Sequence, residues 1–455
     1  MLPLTPKLSL KYLGICLALV YVQHAQALGL MEAYNSALAN DSVYRSALHD
    51  NEAGQQYKII GRANLLPNIS ASYAYNRVNS DISVSGFDLP TRNYNSENGA
   101  IQLRQPIVNL EAWARYREGN LQTSLSDKQL VASKQALIQR LFGLYANANY
   151  AEDLLALSVA QRDAFKNQTA ANQLMSAKGE GTKTALIESQ AQLSLSEAQV
   201  LEAQDEVTDG RNALAAMLGQ EVTALDVLSE NFNVQNLEQP DYEAWKTIAL
   251  ENNPEIAAAR ENVAIAYQEI QRNHAGHTPR LDAIASLSKS KSDSTSTFNQ
   301  EIDNQSIGLQ LNIPIYAGGS VSALTIQAEA NYKKAQDDLE TKINTVLLDL
   351  RKQHSLVLSS APKIEALKQS VASADLLIIA TKKSQLGGVR TNLDLLDARK
   401  HWFEAKRDLS LVRYNYLVAF INLKKAAGSL TVADIEKIAA YFNPHLSVVD
   451  NIMDK

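Results

Sequence analysis

Two hydrophobic periods divide this chain. From Ile107 through Gln239 there is no proline, and Ala, Leu, Gln, Glu and Lys dominate, all good helix formers. Within that stretch Leu137, Leu141, Leu144, Ala148, Ala151 and Leu155 recur at alternating steps of four and three. That spacing is a heptad seam. A second seam follows at Leu409, Val412, Tyr416, Ala419, Leu423 and Ala426. Gly179-Glu180-Gly181 and Gly387-Gly388 interrupt the two runs, as turns between antiparallel helices should. A helix of ~65 residues reaches ~100 Å at ~1.5 Å per residue. A compact globule has no use for that length.

Four short segments carry the other period, two. Ile69, Ala71, Tyr73 and Tyr75 alternate with Ser70, Ser72, Ala74 and Asn76. Ile101 and Leu103 alternate with Gln102 and Arg104. Leu281, Ala283, Ala285 and Leu287 form a third apolar face. Ile307, Leu309, Leu311, Ile313 and Ile315 form the fourth. Each segment is about the 9–11 residues that a tilted membrane strand needs. Polar loops near Ser80–Glu97 and Lys289–Gln305 join the pairs. A half-buried sheet of a soluble domain shows the same alternation, but the flanking helices leave nothing compact to cover one.

The two periods come in the same order twice, at an offset of roughly 200 residues. Ala37-Leu38-Ala39-Asn40-Asp41-Ser42 returns as Ala249-Leu250-Glu251-Asn252-Asn253-Pro254. Leu66-Pro67-Asn68-Ile69 returns as Thr278-Pro279-Arg280-Leu281, and Gln105-Pro106-Ile107 as Ile313-Pro314-Ile315. The expected division is a signal peptide over 1–27, a first repeat over 28–240, a second over 241–440 and a C-terminal tail over 441–455. Only a closed barrel satisfies every backbone group in lipid, and four strands cannot close one. Two copies give eight strands, a barrel filled by its own side chains. Three give twelve, the smallest assembly here with an open bore. The expected fold is therefore an α+β membrane protein: a trimeric 12-stranded barrel continued by a long α-helical tube.

Composition narrows the setting. Lys7 and Lys11, the apolar run Leu13 to Val22, and Ala25-Gln26-Ala27 read as a secretory signal with cleavage before Leu28. About ten apolar residues are too few to anchor in a bilayer. Ile15 stands where a small residue should precede a lipidated Cys16. Cys16 is the only cysteine, so the mature chain has no disulfide, thiolate metal site or Cys nucleophile. Losing the two lysines moves the formal charge from −6 to −8, which leaves no basic field for nucleic acid. No later stretch is apolar enough for a transmembrane helix.

With these features the chain resembles the TolC family of outer-membrane channel-tunnels, over essentially the whole mature length. The most specific segment is Gly388-Val389-Arg390-Thr391-Asn392-Leu393-Asp394-Leu395-Leu396-Asp397-Ala398. Arg413-Tyr414-Asn415-Tyr416-Leu417, Ala427-Gly428-Ser429-Leu430 and the turn Ile313-Pro314-Ile315-Tyr316-Ala317-Gly318-Gly319 are similar in kind. Gly179-Glu180-Gly181-Thr182-Lys183-Thr184 and Asn273-His274-Ala275-Gly276-His277-Thr278-Pro279 resemble the members that serve type I protein secretion. The resemblance implies a homotrimer in the Gram-negative outer membrane with a periplasmic tunnel. It implies an equatorial belt from residues around Leu218–Trp245 and after Gly428. It implies partners at the helical tip, an adaptor protein and an inner-membrane ABC transporter, with a secreted protein as cargo. No covalent chemistry and no cofactor are implied.

Candidate functional residues gather at the turns. Asp394 and Asp397 are three apart, hence on one helical face, and in a trimer would form two stacked carboxylate rings. The resemblance places such aspartates at a closed periplasmic entrance, and Arg390 at a latch between neighbouring coils. Gln385 departs from a tyrosine common in that latch, and Ile187 from an aspartate common in the first repeat. Gly179, Glu180, Gly181, Thr182, Lys183, Thr184, Gly387, Gly388, Val389 and Thr391 are the expected adaptor contacts, because they lie at the far end of the tube. Gly181-Thr182-Lys183-Thr184 lacks the upstream glycine and preceding strand of a phosphate loop. His274 and His277 without nearby carboxylates read as a loop rather than a metal pair. Trp113, Trp245 and Trp402 read as packing. No metal site and no nucleophile–base arrangement is present in the sequence.

Three functions compete. One is a passive exit channel for type I secretion. Another keeps the fold but carries drugs or metal ions in a tripartite efflux pump. The last is a periplasmic coiled-coil scaffold without a pore, which leaves the alternating strands unexplained.

Overall fold

The computed structural model describes residues 27–229, 232, 234, 237, 241–292 and 300–443. All but the last residue of the expected signal over 1–27, residues 293–299, and the part of the expected tail over 441–455 that lies beyond 443 fall outside the described residues. Helices α1 (Leu30–Asn40) and α2 (Ser42–Ala63) lead into strand β1 (Asn68–Ser80). A small hairpin, β2 (Ser83–Val84) and β3 (Phe87–Asp88), precedes β4 (Arg92–Val108). Then come the long helices α3 (Leu110–Ala177) and α4 (Lys183–Leu218), and the short strand β5 (Val227–Leu228). The second half runs α5 (Tyr242–Asn252), α6 (Pro254–His274), β6 (Arg280–Ser292), β7 (Gln300–Asn312), α7 (Ser320–Leu386) and α8 (Asn392–Ala426). It closes with α9 (Val432–Ala439) and β8 (Phe442–Asn443).

Local chemistry sets the corners. Asp41 ends α1 and caps α2, its carboxylate accepting from the Tyr44 N–H. Asn253 ends α5 and caps α6 in nearly the same backbone conformation, φ −66° and ψ 120° against −62° and 116°. Arg140 of α3 holds the half of this corner built on Asp41, at 2.8 Å. Asn253 also donates to the Ala426 carbonyl at the end of α8.

The strands form one antiparallel sheet in the order β1-β4-β6-β7. Its two sides differ in chemistry. Ile69 pairs with Leu103, Leu103 with Ala285 and Ala285 with Ile307, so an apolar row crosses all four strands. Ser70, Gln102, Ser286 and Ser306 form the neighbouring row on the opposite side. That side also carries the Arg104–Asp282 ion pair and a Ser286–Ser306 hydroxyl contact of 2.8 Å. Ile69, Ile307 and Leu309 are exposed, Ile307 to 89%. A sheet with a solvent-facing apolar side would aggregate in water.

Three strands have 13 residues and β4 has 17, longer than the 9–11 expected. Their polar ends stay paired, so the loops are shorter than the alternation suggested. The alternation through Ile313 and Ile315 also runs past the end of β7 at Asn312, because Pro314 cannot donate to a ladder.

Below the sheet the helices neighbour each other in the order α2, α3, α6, α7, the order of the strands they join. Helices α3 and α7 have 68 and 67 residues, about 100 Å each. In their lower parts α4 and α8 pack against them as antiparallel partners. The heptad positions Leu137, Leu141, Ala148 and Ala151 are buried, as are Leu409, Val412, Tyr416, Ala419, Leu423 and Ala426. The largest core lies midway along the helices. There Tyr145, Leu214, Phe232, Trp245, Leu423, Ile435 and Phe442 meet, and the β5–β8 ladder ties residues beyond α4 to residues beyond α9. Among the described residues no helix is long and apolar enough to cross a membrane.

Candidate functional site

The two long hairpins turn with the same device. At the end of α3 the Glu180 N–H donates to Met175 O and the Gly179 N–H to Ser176 O. At the end of α7 the Val389 N–H donates to Ser384 O and the Gly388 N–H to Gln385 O. These are Schellman closures, which need a left-handed residue at one position. Gly179 (φ 76°) and Gly388 (φ 73°) supply it. Gly181 and Gly387 do not have positive φ, so of the four turn glycines these two carry no such demand. Gly181 is fixed instead by close approach: a Cβ there would stand 3.0 Å from the Met175 Cβ.

Three residues after each left-handed glycine a threonine starts the return helix. Thr182 accepts from the Ala185 N–H, and Thr391 from the Asp394 N–H. The second tip goes further. The Asp394 carboxylate accepts from the Thr391 N–H at 2.7 Å and hydroxyl at 2.8 Å, a complete capping box. Arg390 stands 3.3 Å from the same carboxylate. The Thr391 N–H, then its hydroxyl, hold the Asp394 carboxyl below the ordinary carboxylate range, with Arg390 adding to them. Sequence reasoning read Asp394 and Arg390 separately. The spacing Thr391-x-x-Asp394 was the available signal for their joint role.

Asp397 is exposed one turn on and makes no ion pair with another described residue. It lines a groove of about 180 Å³ with Glu188, Gln192 and Lys400, between α4 and α8. Counted from the two left-handed glycines, Glu188 occupies in the first hairpin the place of Asp397 in the second. Ile187, the position singled out from sequence, is exposed beside it. Gln385 donates to the Asn392 side chain at 3.4 Å, and Gln168 of α3 donates to the same oxygen. The second tip is thereby tied to the first hairpin.

The turn residues 177–184 and 386–391 are all exposed. Leu386 is 85% and Val389 81% exposed, with Leu174 and Met175 open beside the first turn. Two apolar knuckles therefore project from the end of the hairpins. His274 and His277 stand edge to face 6.4 Å apart, and among the described residues no group of His, Cys, Asp and Glu fits a metal ion. Trp245 is buried, but Trp113 is about half exposed and is not core packing alone.

Nearer the middle of the long helices, α3 and α8 share a half-buried carboxylate. Asp153 accepts from the Ser410 hydroxyl at 2.7 Å and from the Tyr414 hydroxyl at 3.1 Å. Burial pushes its pKa up, and the two hydroxyl donors oppose that only in part. Nothing in the heptad pattern signalled this position.

A sheet that is apolar on one side and polar on the other, set on helices about 100 Å long, has the layout of a lipid-facing sheet continued by a helical stalk. Comparison with known proteins agrees. The profile of the outer membrane efflux protein family matches residues 33–220 and 245–429. The chain is 39% identical to alkaline protease secretion protein AprF of Pseudomonas aeruginosa, over 92% of its own length and 88% of that protein's. It is 37% identical to proteases secretion protein PrtF of Dickeya chrysanthemi, over 92% of each. Among solved structures, CusC superposes with a TM-score of 0.77 at 18% identity, covering 89% of this chain and 93% of that one. The chain belongs to the outer membrane efflux protein family, and it is an outer-membrane protein.

Proposed function

We propose that this protein is the outer-membrane exit channel of a type I, ABC transporter-driven protein secretion system. The single observation that carries this reading is the near-full-length identity of 39% and 37% to two protease secretion proteins. The outer membrane protein TolC of Vibrio cholerae is more distant, at 28%. The cargo is accordingly a secreted protein. The channel is passive, with no catalytic residue and no cofactor, and the energy comes from the inner-membrane transporter.

The chain works as a homotrimer. Strands β1 and β7 are the two edges of a four-stranded sheet, each 13 residues long. Pairing β7 of one copy with β1 of the next closes twelve strands, removes every free edge, and turns the apolar side to lipid. The internal repeat, 28–240 and 241–440, lets two similar halves supply two strands and one long hairpin each. The exposed knuckles around Gly179–Thr184 and Gly387–Thr391 are the docking points for the periplasmic adaptor. Asp394 and Asp397 line the entrance, and Arg390 latches it through Asp394.

The test is genetic and direct. Deleting the gene should abolish export of the protein cargo of its ABC transporter, and re-expression should restore it. Unchanged export, with increased sensitivity to small toxic compounds, would move the assignment to an efflux pump.

A further inference from the structure

Where the sheet meets the helices, a pocket of about 410 Å³ opens between the start of α3 and the end of α6. Leu110, Trp113, Arg117, Gln268, Gln271 and His274 line it. Its outlook follows from parity. Arg280 shares the polar side of β6 with Asp282, and it pairs with Glu111 at 2.6 Å. Trp113 is two residues beyond Glu111, about 200° around the helix, so it faces the side of the apolar row. Helices α3 and α6 are the inner pair of the four under the sheet. The pocket therefore lies away from the chain's open edges.

The charges in this pocket are unbalanced. Glu111 is engaged by Arg115 and Arg280, and Glu118 by Arg272. Arg117 makes no ion pair or hydrogen bond with another described residue, and no carboxylate lines the pocket. The Gln268 carbonyl oxygen is buried with no donor. A guanidinium binds phosphate through two parallel N–H bonds. An orphaned acceptor calls for a ligand that also donates. A half-exposed tryptophan just below an apolar band belongs at the headgroup level of a bilayer.

We propose that this pocket binds the headgroup of a phospholipid in the periplasmic leaflet. Arg117, with His274 beside it, takes the phosphate, and Gln268 accepts from the headgroup's own donor. Trp113 covers the glycerol region. A headgroup ending in an ammonium or hydroxyl satisfies Gln268, and a quaternary choline does not. The inference rests on the membrane placement of the sheet.

The full-length protein, delipidated in mild detergent, can be titrated with phosphatidylethanolamine, phosphatidylcholine or inorganic phosphate, counting bound lipid by native mass spectrometry. Phosphatidylethanolamine should bind in preference to phosphatidylcholine. Arg117→Gln should weaken both about tenfold, the scale of one charge-assisted contact. Arg117→Lys, which keeps the charge but loses the paired N–H contact, should bind between wild type and Arg117→Gln, and Gln268→Leu should erase the preference between the two lipids. Equal binding of the two lipids by the wild type overturns the proposal. So does undiminished binding by Arg117→Gln, or full competition by millimolar phosphate, which would indicate a free-anion site. Fractionation of each variant separates loss of this site from loss of outer-membrane insertion.

Discussion

Asp394 shows how one side chain can hold a helix start at a position proposed for the gate. Its carboxylate closes a capping box and faces Arg390, and both contacts favour the charged form. Because its pKa is depressed, the stabilisation is present at neutral pH and fades as pH falls through the folded value. Acidification should therefore loosen the α8 start, seen as faster hydrogen exchange at 391–396, and Asp394→Asn should lose that pH dependence. Asp153 has the opposite sign. Its pKa is raised, so the charged form is disfavoured in the fold and stability should increase as pH falls. Asp153→Asn keeps an acceptor for Ser410 and Tyr414 without the charge. Its thermal midpoint should equal or exceed wild type at pH 7, with the gap closing on acidification; a clear loss at pH 7 would make the charge structural. At the turns, Gly179→Val and Gly388→Val place a β-branched residue at φ near 75°. Export should drop with trimers intact, and normal export by both would remove the tips from the docking surface.

At the scale of elements, what could be read from sequence follows physical range. The hairpins were legible because a heptad seam repeats over many turns and glycine marks its interruption. The four strands were legible from their period of two. Their lengths were not, since polar ends pair as well as apolar ones, and the end of β7 depended on what Pro314 cannot donate. The paired role of Thr391 and Asp394 was present in the spacing, whereas the Asp153 site depends on which faces of α3 and α8 meet. Exposure of Trp113 likewise needed the placement of α6. The apolar row makes a sharper demand. Ile307→Lys puts a charge at the β7 end of the row, near the middle of that strand, where a lipid-facing lysine costs roughly 2–4 kcal/mol. The same change at Ser306, on the polar side, should be tolerated. Outer-membrane yield of the two variants decides between a lipid-facing and a lumen-facing reading of that row.

For the whole molecule, the proposed trimer would convert local charges into rings. Each chain carries Asp394, Asp397 and Glu188 near the turns of its hairpins, the end at which the proposed tube would narrow. Asp394 is offset by Arg390 and committed to its cap, whereas Asp397 makes no ion pair among the described residues. Six free carboxylates, from Asp397 and Glu188 of three chains, would then set the field at the entrance. In a bore narrower than the Debye length of ~8 Å, salt screens that field poorly. In planar bilayers Asp397→Asn should therefore reduce cation preference more than Asp394→Asn does. Glu188→Gln should add to the first, and Arg390→Gln should raise conductance by freeing the Asp394 end of α8. Equal, small effects of Asp397→Asn and Asp394→Asn would mean that neither carboxylate faces the pore, leaving Asp394 as a cap and Asp397 as a solvated residue of the groove beside Lys400.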